Sequence, residues 1–184
     1  DDEAGYYYYV MELADDLHNG QNIAAETYQA RNMASEVASR GRLPTNECLT
    51  IGIQAAHALG YLHSNNIVHR DVRPSSIIYC GGRIKLADIS FITSIGGSFS
   101  ASGSQGYAPI EGPGYPPADV YSMGKVIYEL ASGLHRRNFP AMPTTTTGIS
   151  SEEHKFQEAL QEILATACHV EQDKRYLDGN RFSE

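Results

Sequence analysis

The sequence predicts an α+β fold that is mainly helical, with a few short strands gathered around one polar loop. Three observations carry that expectation. Between Pro44 and Ser64 the apolar residues Cys48, Ile51, Ala55, Leu59 and Leu62 recur at steps of three and four, the spacing that lines one face of a helix. The same spacing returns at Val120, Met123, Ile127 and Leu130, and again at Phe156, Leu160, Ile163, Leu164 and Ala167. Between the first and second of these patterns, Ile67 to Lys85 mixes short apolar pairs with Pro74 and Gly81-Gly82, as two short strands joined by a turn would.

Taken in order, Tyr6 to Leu13 is aromatic, apolar and rich in strand formers, and the acidic segment Ala14 to Asn22 ends it as a turn. The consecutive tyrosines from Tyr6 to Tyr9 read as a strand with one packed face. Pro44 suits the first turn of the next helix and Asn65-Asn66 its end. Phe91 to Pro117 is dense in glycine, serine and proline and has almost no periodicity, so it reads as a long irregular loop, a kind of segment that is usually functional when it lies inside a compact domain. Helical spacing then resumes from Asp119 to Ser132, with Gly133 as the stop. A polar break from Pro140 to Ser151, with Thr144 to Thr147 inside it, precedes the last helix.

Composition removes several function classes. The 184 residues are 41% hydrophobic and 20% charged, ordinary for a globular domain able to bury a full core. No apolar run approaches the roughly 20 residues of a membrane span, so no membrane contact is expected from this segment. A formal charge of -8 without a basic cluster argues against a nucleic-acid surface, because phosphate binding draws on Lys and Arg. Cys48, Cys80 and Cys168 are odd in number and lack metal-ligand spacing, so free thiols in a reducing compartment are expected.

The chemistry-bearing stretch is His69-Arg70-Asp71-Val72-Arg73-Pro74, followed seventeen residues after Asp71 by Leu86-Ala87-Asp88-Ile89-Ser90. Two aspartates on two separate backbone segments suit phosphoryl transfer, in which one carboxylate meets the acceptor hydroxyl while another holds magnesium against the phosphates. Further along stand Gly103-Ser104-Gln105-Gly106-Tyr107, then Ala108-Pro109-Ile110-Glu111, Asp119-Val120-Tyr121-Ser122-Met123-Gly124 and Asp173-Lys174-Arg175-Tyr176. In this order and at these intervals the motifs resemble the large, C-terminal lobe of eukaryotic-like protein kinases over nearly the whole chain, most closely the bacterial serine/threonine kinases.

The resemblance implies roles residue by residue. Tyr9 to Ala14 would be the last small-lobe strand and the hinge, with Met11 as gatekeeper, Glu12 and Ala14 as main-chain contacts to adenine, and Ile78 packed under the ring. Asp71 would orient the substrate hydroxyl and accept its proton. Arg73 stands where a phosphate-neutralising lysine is usual, and replaces a compact ammonium by a planar fork. Asp88 would hold magnesium, Ile89 would pack beside His69, and Arg70 would meet a phosphorylated activation loop. Ser104 falls at the substrate-loop position, Glu111 and Arg175 would pair as a buried anchor, and Asp119 would hold the catalytic-loop backbone. The implied cofactors are ATP and Mg2+, and the implied partner is a protein substrate.

Besides Arg73, two further residues depart from the pattern. Ser76 occupies the position of an asparagine that binds a second magnesium, and a serine hydroxyl is a shorter, weaker ligand. Ser90 replaces the glycine that gives the Asp88 turn its backbone freedom. No Gly-rich phosphate loop or Val-Ala-Ile-Lys type lysine precedes the hinge. The expected organisation is therefore a partial kinase domain, with residues 1–16 as the last small-lobe strand and hinge and residues 17–184 as the large lobe. Such a piece alone should bind ATP poorly. Two function classes follow: the catalytic lobe of a serine/threonine protein kinase, or a pseudokinase scaffold that keeps the fold while Ser76 and Ser90 mark lost catalysis.

Overall fold

The computed structural model describes residues 9–97, 106–143 and 151–184. Among the described residues five helices carry the architecture: α1 (Met33–Arg40), α2 (Thr45–Ser64), α3 (Pro116–Ser132), α4 (Ser151–Ala167) and α5 (Gly179–Ser183). The described residues also hold four short strands in two antiparallel pairs, β1 (Ile67–Val68) with β4 (Thr93–Ser94) and β2 (Ile77–Cys80) with β3 (Arg83–Leu86). The second pair is nested within the first, so the loop 69–76 and the loop 87–92 leave the two ladders side by side. The mainly helical α+β architecture expected from the sequence is present.

Helix α3 is the central beam. Nearly every one of its side chains is buried, and Met123, Val126, Ile127, Tyr128 and Leu130 join Cys48, Ile51, Ala55 and Leu59 of α2 with Leu160 and Leu164 of α4 in one core. Tyr128 meets Phe139 edge to face, with ring centroids 5.3 Å apart, and its hydroxyl donates to the Ala141 carbonyl at 2.6 Å. The helix begins at Pro116, three residues before the expected Asp119, because Pro116 and Pro117 lack only amide donors that a first turn leaves unused. It ends as expected at Gly133, whose left-handed φ of 68° lets its amide bond back to Glu129.

Helix α2 matches its expected span, with Pro44 before it and Asn65 after. Helix α5 crosses it at a glycine contact. A Cβ on Gly179 would lie 2.3 Å from the Gly60 nitrogen and 2.5 Å from the Ala56 carbonyl oxygen, so only hydrogen fits there. The β2–β3 turn is Gly81-Gly82, with φ of 57° and 73°, the two-positive-φ geometry of tight hairpins. The Asp15 carboxylate accepts from both of these glycine amides, at 2.9 Å each.

The strand expected from Tyr6 to Leu13 is corrected. Tyr6 to Tyr8 lie outside the described residues, and Tyr9 to Leu13 form no ladder. Val10 is 90% exposed and Leu13 58%, and a strand exists only where a neighbour pairs with it. Thr144 to Thr147 of the polar break also lie outside the described residues. The three cysteines are buried free thiols, and burial pushes Cys168 up to about 12. Among the described residues no helix is long and apolar enough to cross a membrane.

Candidate active site

The loop that leaves β1 is held from beneath by one buried carboxylate. Asp119, in the first turn of α3 and 1% exposed, accepts from the His69 amide at 2.7 Å through Oδ2 and from the Arg70 amide at 2.8 Å through Oδ1. Oδ2 also lies 3.0 Å from His63 Nε2. His63 Nδ1 receives the Gly179 amide at 3.0 Å, so the ring proton sits on Nε2 and is donated to Asp119. A line of hydrogen bonds thus runs from the start of α5 through α2 and α3 to the loop. Nothing local in the sequence signals it, because His63 and Asp119 lie 56 residues apart.

His69 is fully buried and ties the two loops together. Its Nε2 donates to the Ala87 carbonyl at 3.0 Å, and its Nδ1 accepts the Asp71 amide at 3.4 Å. Arg70 and Asp88 carry left-handed φ values of 70° and 64°. Such backbone costs of order 1–3 kcal/mol per non-glycine residue and persists where the surroundings impose it, typically at functional sites. Arg70 is held by Asp119 and by its own Nη1, which donates to the Phe91 carbonyl at 3.2 Å.

Arg73 joins the two aspartates. Its Nη2 donates to Asp88 Oδ2 at 2.8 Å, while its Nε lies 3.1 Å from Asp71 Oδ2, at ion-pair range but off hydrogen-bond alignment. Asp71 is buried at 5% exposed, whereas the Asp88 side chain is 32% exposed and opens to solvent. The hydrogen bond to Asp88 holds the Arg73 guanidinium more firmly charged against its partial burial, and Asp71 adds to the effect.

Ser76 does something other than its expected role as a metal ligand. Fully buried, it donates through Oγ to the Arg73 carbonyl at 2.8 Å and accepts the Arg73 amide at 3.0 Å. Its hydroxyl caps the backbone of the very residue whose side chain takes up Asp88. The expectation for Ser90 is also corrected. Ile89 to Phe91 form a 3-10 turn, and the left-handed position belongs to Asp88, so Ser90 needs none of the freedom of glycine. Ile89 lines a cavity of about 330 Å3 together with His69, Leu62 and Leu86 and is 39% exposed.

Of the residues expected around adenine, Ala14 and Ile78 come together in a small buried apolar cluster with Cys80 and Ala87. This cluster sits on β2 and the β3 exit, directly before Asp88 in the chain. The Cys80 thiol donates to the Leu13 carbonyl at 3.0 Å, and burial, with help from Glu12, keeps it protonated. Met11 is 48% exposed and outside the cluster, and the Glu12 side chain reaches outward to pair with Lys85. Ser104 lies outside the described residues.

Glu111 and Arg175 form a separate anchor at 2.5 Å, and it is lopsided. The Arg175 side chain is 1% exposed and Glu111 29%, and Arg175 also donates to the carbonyls of His169 at 2.6 Å and Val170 at 3.1 Å. Tyr107 donates to Glu129 and lies under the Arg136 guanidinium, 4.2 Å from the ring centroid. Burial and then Glu129 push the Tyr107 phenol up, so it stays a donor.

For magnesium, the donor set fits in part. That ion is ordinarily taken by one or two carboxylates together with substrate phosphates, and Asp88 is a solvent-facing carboxylate of that kind. Ser76 as arranged does not join it. No group of three or more His, Cys, Asp or Glu side chains that could cage a metal exists among the described residues.

The family model of the protein kinase domain matches residues 6–177. A serine/threonine-protein kinase of Corynebacterium efficiens, drp72, is 27% identical over 201 residues, covering 96% of this chain and 37% of that protein. PknA of Corynebacterium glutamicum is 26% identical over 185 residues, covering 88% of this chain and 38% of its own length. SIK1 of Rattus norvegicus is 34% identical over 151 residues, covering 74% of this chain and 18% of its own. The chain thus spans well under half the length of these relatives. With a family match along almost its whole length, the chain belongs to the protein kinase family.

Proposed function

We propose that this chain forms the hinge and large lobe, residues 1–16 and 17–184, of a kinase that moves the γ-phosphoryl of ATP to a serine or threonine hydroxyl of a protein. The observation that carries the reading is the placement of Asp71 and Asp88 on two adjacent loops, joined through Arg73 and held by Asp119. Asp71, buried yet facing the cation, orients the acceptor hydroxyl and takes its proton. Asp88 binds the metal through its exposed carboxylate. Magnesium, when bound, neutralises charge on the phosphates. Arg73, as a planar fork, meets the transferring phosphate. The apolar floor of Ala14 and Ile78 takes the adenine, with the main chain of Glu12 and Ala14 at its edge.

A pseudokinase reading draws on one observation, the Ser76 hydroxyl committed to the Arg73 backbone and turned to no metal. Transfer of radiolabelled phosphate from Mg-ATP to a basic protein by the full-length protein separates the two. A working kinase yields labelled phosphoserine or phosphothreonine in the parent and none with Asp88→Ala. A folded parent without label moves the assignment to the scaffold.

A further inference from the structure

The two residues at which the loop departs from the kinase pattern, Arg73 and Ser76, are in contact with each other. Ser76 fixes the Arg73 backbone through both its amide and its carbonyl, and the Ser76 amide adds a further bond to that carbonyl at 3.0 Å. Pro74 locks the next φ. The Arg73 guanidinium, launched from this fixed point, lies with one edge toward Asp71 and one toward Asp88. A lysine ammonium is a point charge, whereas the guanidinium presents separate donors that reach two carboxylates at once.

We propose that Arg73 is a resident counter-ion that occupies the metal seat at Asp88, so that a divalent cation enters only when a nucleotide phosphate draws the guanidinium away. The inference rests on the assignment of Asp88 as the metal-binding carboxylate. Asp71 and Asp88 are two negative charges on neighbouring loops, and the Arg73 side chain supplies the positive charge between them. A metal arriving alone has to displace a charge-assisted hydrogen bond of 2.8 Å. A phosphate is the better partner for a guanidinium fork, and its arrival frees the Asp88 oxygen. Metal and nucleotide binding are thereby coupled through one side chain. Ser76, by capping the backbone of Arg73, sets the reach of that side chain.

The test is a titration of the 184-residue chain with Mn2+ in the absence of nucleotide, read as free Mn2+ by electron paramagnetic resonance. Arg73→Gln removes the charge and keeps most of the volume, and Arg73→Ala serves as a second variant, both checked for fold by circular dichroism. Each should bind Mn2+ about tenfold or more tightly than the parent, the factor for losing one charge-assisted competitor. Asp88→Asn added to Arg73→Gln should abolish the gain. Equal, measurable affinity in the parent and both variants overturns the proposal alone. No Mn2+ bound by any of them at millimolar concentration overturns the assignment of Asp88 and the proposal with it. Phosphoryl transfer is read separately, so a lack of activity bears on the proposed function and leaves the titration to decide this point.

Discussion

Replacing Asp119 by alanine should unfasten the loop that carries Asp71. The carboxylate is 1% exposed and accepts three hydrogen bonds, from the His69 amide at 2.7 Å, the Arg70 amide at 2.8 Å and His63 Nε2 at 3.0 Å. Water cannot easily take its place, so two backbone amides and an imidazole are left buried without their acceptor. Each bond to a charged acceptor contributes about 1.5–3 kcal/mol, and the losses share one group, so the expected cost is about 3–5 kcal/mol. That is a large part of a typical total of about 5–15 kcal/mol. For a chain of this size it corresponds to a fall in Tm of about 10 °C. Urea denaturation followed by circular dichroism gives the first number. Native-state hydrogen exchange gives a local one, because the His69 and Arg70 amides should lose protection even where the rest of the core keeps it. Asp119→Asn, which retains one acceptor oxygen, should cost clearly less than Asp119→Ala. A loss below about 1 kcal/mol for Asp119→Ala, with the two amides still protected, would refute the reasoning that this carboxylate organises the loop.

Three other outcomes follow from the same geometry. Arg175→Met should destabilise by about 3–5 kcal/mol and Glu111→Gln by about 1 kcal/mol or less in urea denaturation, because the arginine is buried with several acceptors around it while the glutamate is partly solvated. Equal losses would contradict that asymmetry. Gly179→Ala should cost about 1–3 kcal/mol, since its Cβ would meet backbone atoms of α2 at 2.3–2.5 Å that cannot turn aside; an unchanged midpoint would show that α5 moves freely. Glu36 offers a pH test: burial raises its pKa, but the hydrogen bonds from Arg31 at 2.6 Å and Arg40 at 3.1 Å outweigh this and hold it below the ordinary value of a glutamate. A carboxyl depressed on folding contributes stability that is present above its unfolded pKa and lost as pH falls through the folded one. Glu36→Gln should therefore flatten the loss of stability below about pH 4.5, and an unchanged slope of stability against pH would sink the assignment.

Helical periodicity was legible because it is local. The face of Cys48, Ile51, Ala55 and Leu59 and that of Val120, Met123, Ile127 and Leu130 are the ones buried in the common core. Helix α1 was missed because eight residues offer too few apolar positions for a period. Its signal lies in its ends: Asn32 and Ser35 cap each other, with Ser35 N to Asn32 Oδ1 at 2.9 Å and Asn32 N to Ser35 Oγ at 3.0 Å, and Gly41 follows the last turn. Helix α5 has a similar sign in Asp178, which caps Arg181 N at 2.9 Å. The stretch Tyr9 to Leu13 has strand composition, but pairing is a property of two segments and composition belongs to one. At the candidate site the identities of Asp71, Asp88 and Asp119 could be read from motif order. The link from His63 to Asp119 spans 56 residues of sequence and the return of Ser76 onto Arg73 depends on a rotamer, and neither leaves a periodic trace. The lopsided burial of Arg175 and Glu111 is likewise a matter of how neighbouring segments cover them.

The most direct test of the central claim, that Asp71 serves phosphoryl transfer, is the kcat of the full-length protein with Mg-ATP and a basic protein substrate, measured beside Asp71→Asn. The variant keeps the shape of the side chain but cannot take a proton. The account predicts a fall in kcat of about two to four powers of ten with Mg-ATP affinity little changed. An equal kcat in the two proteins would contradict it.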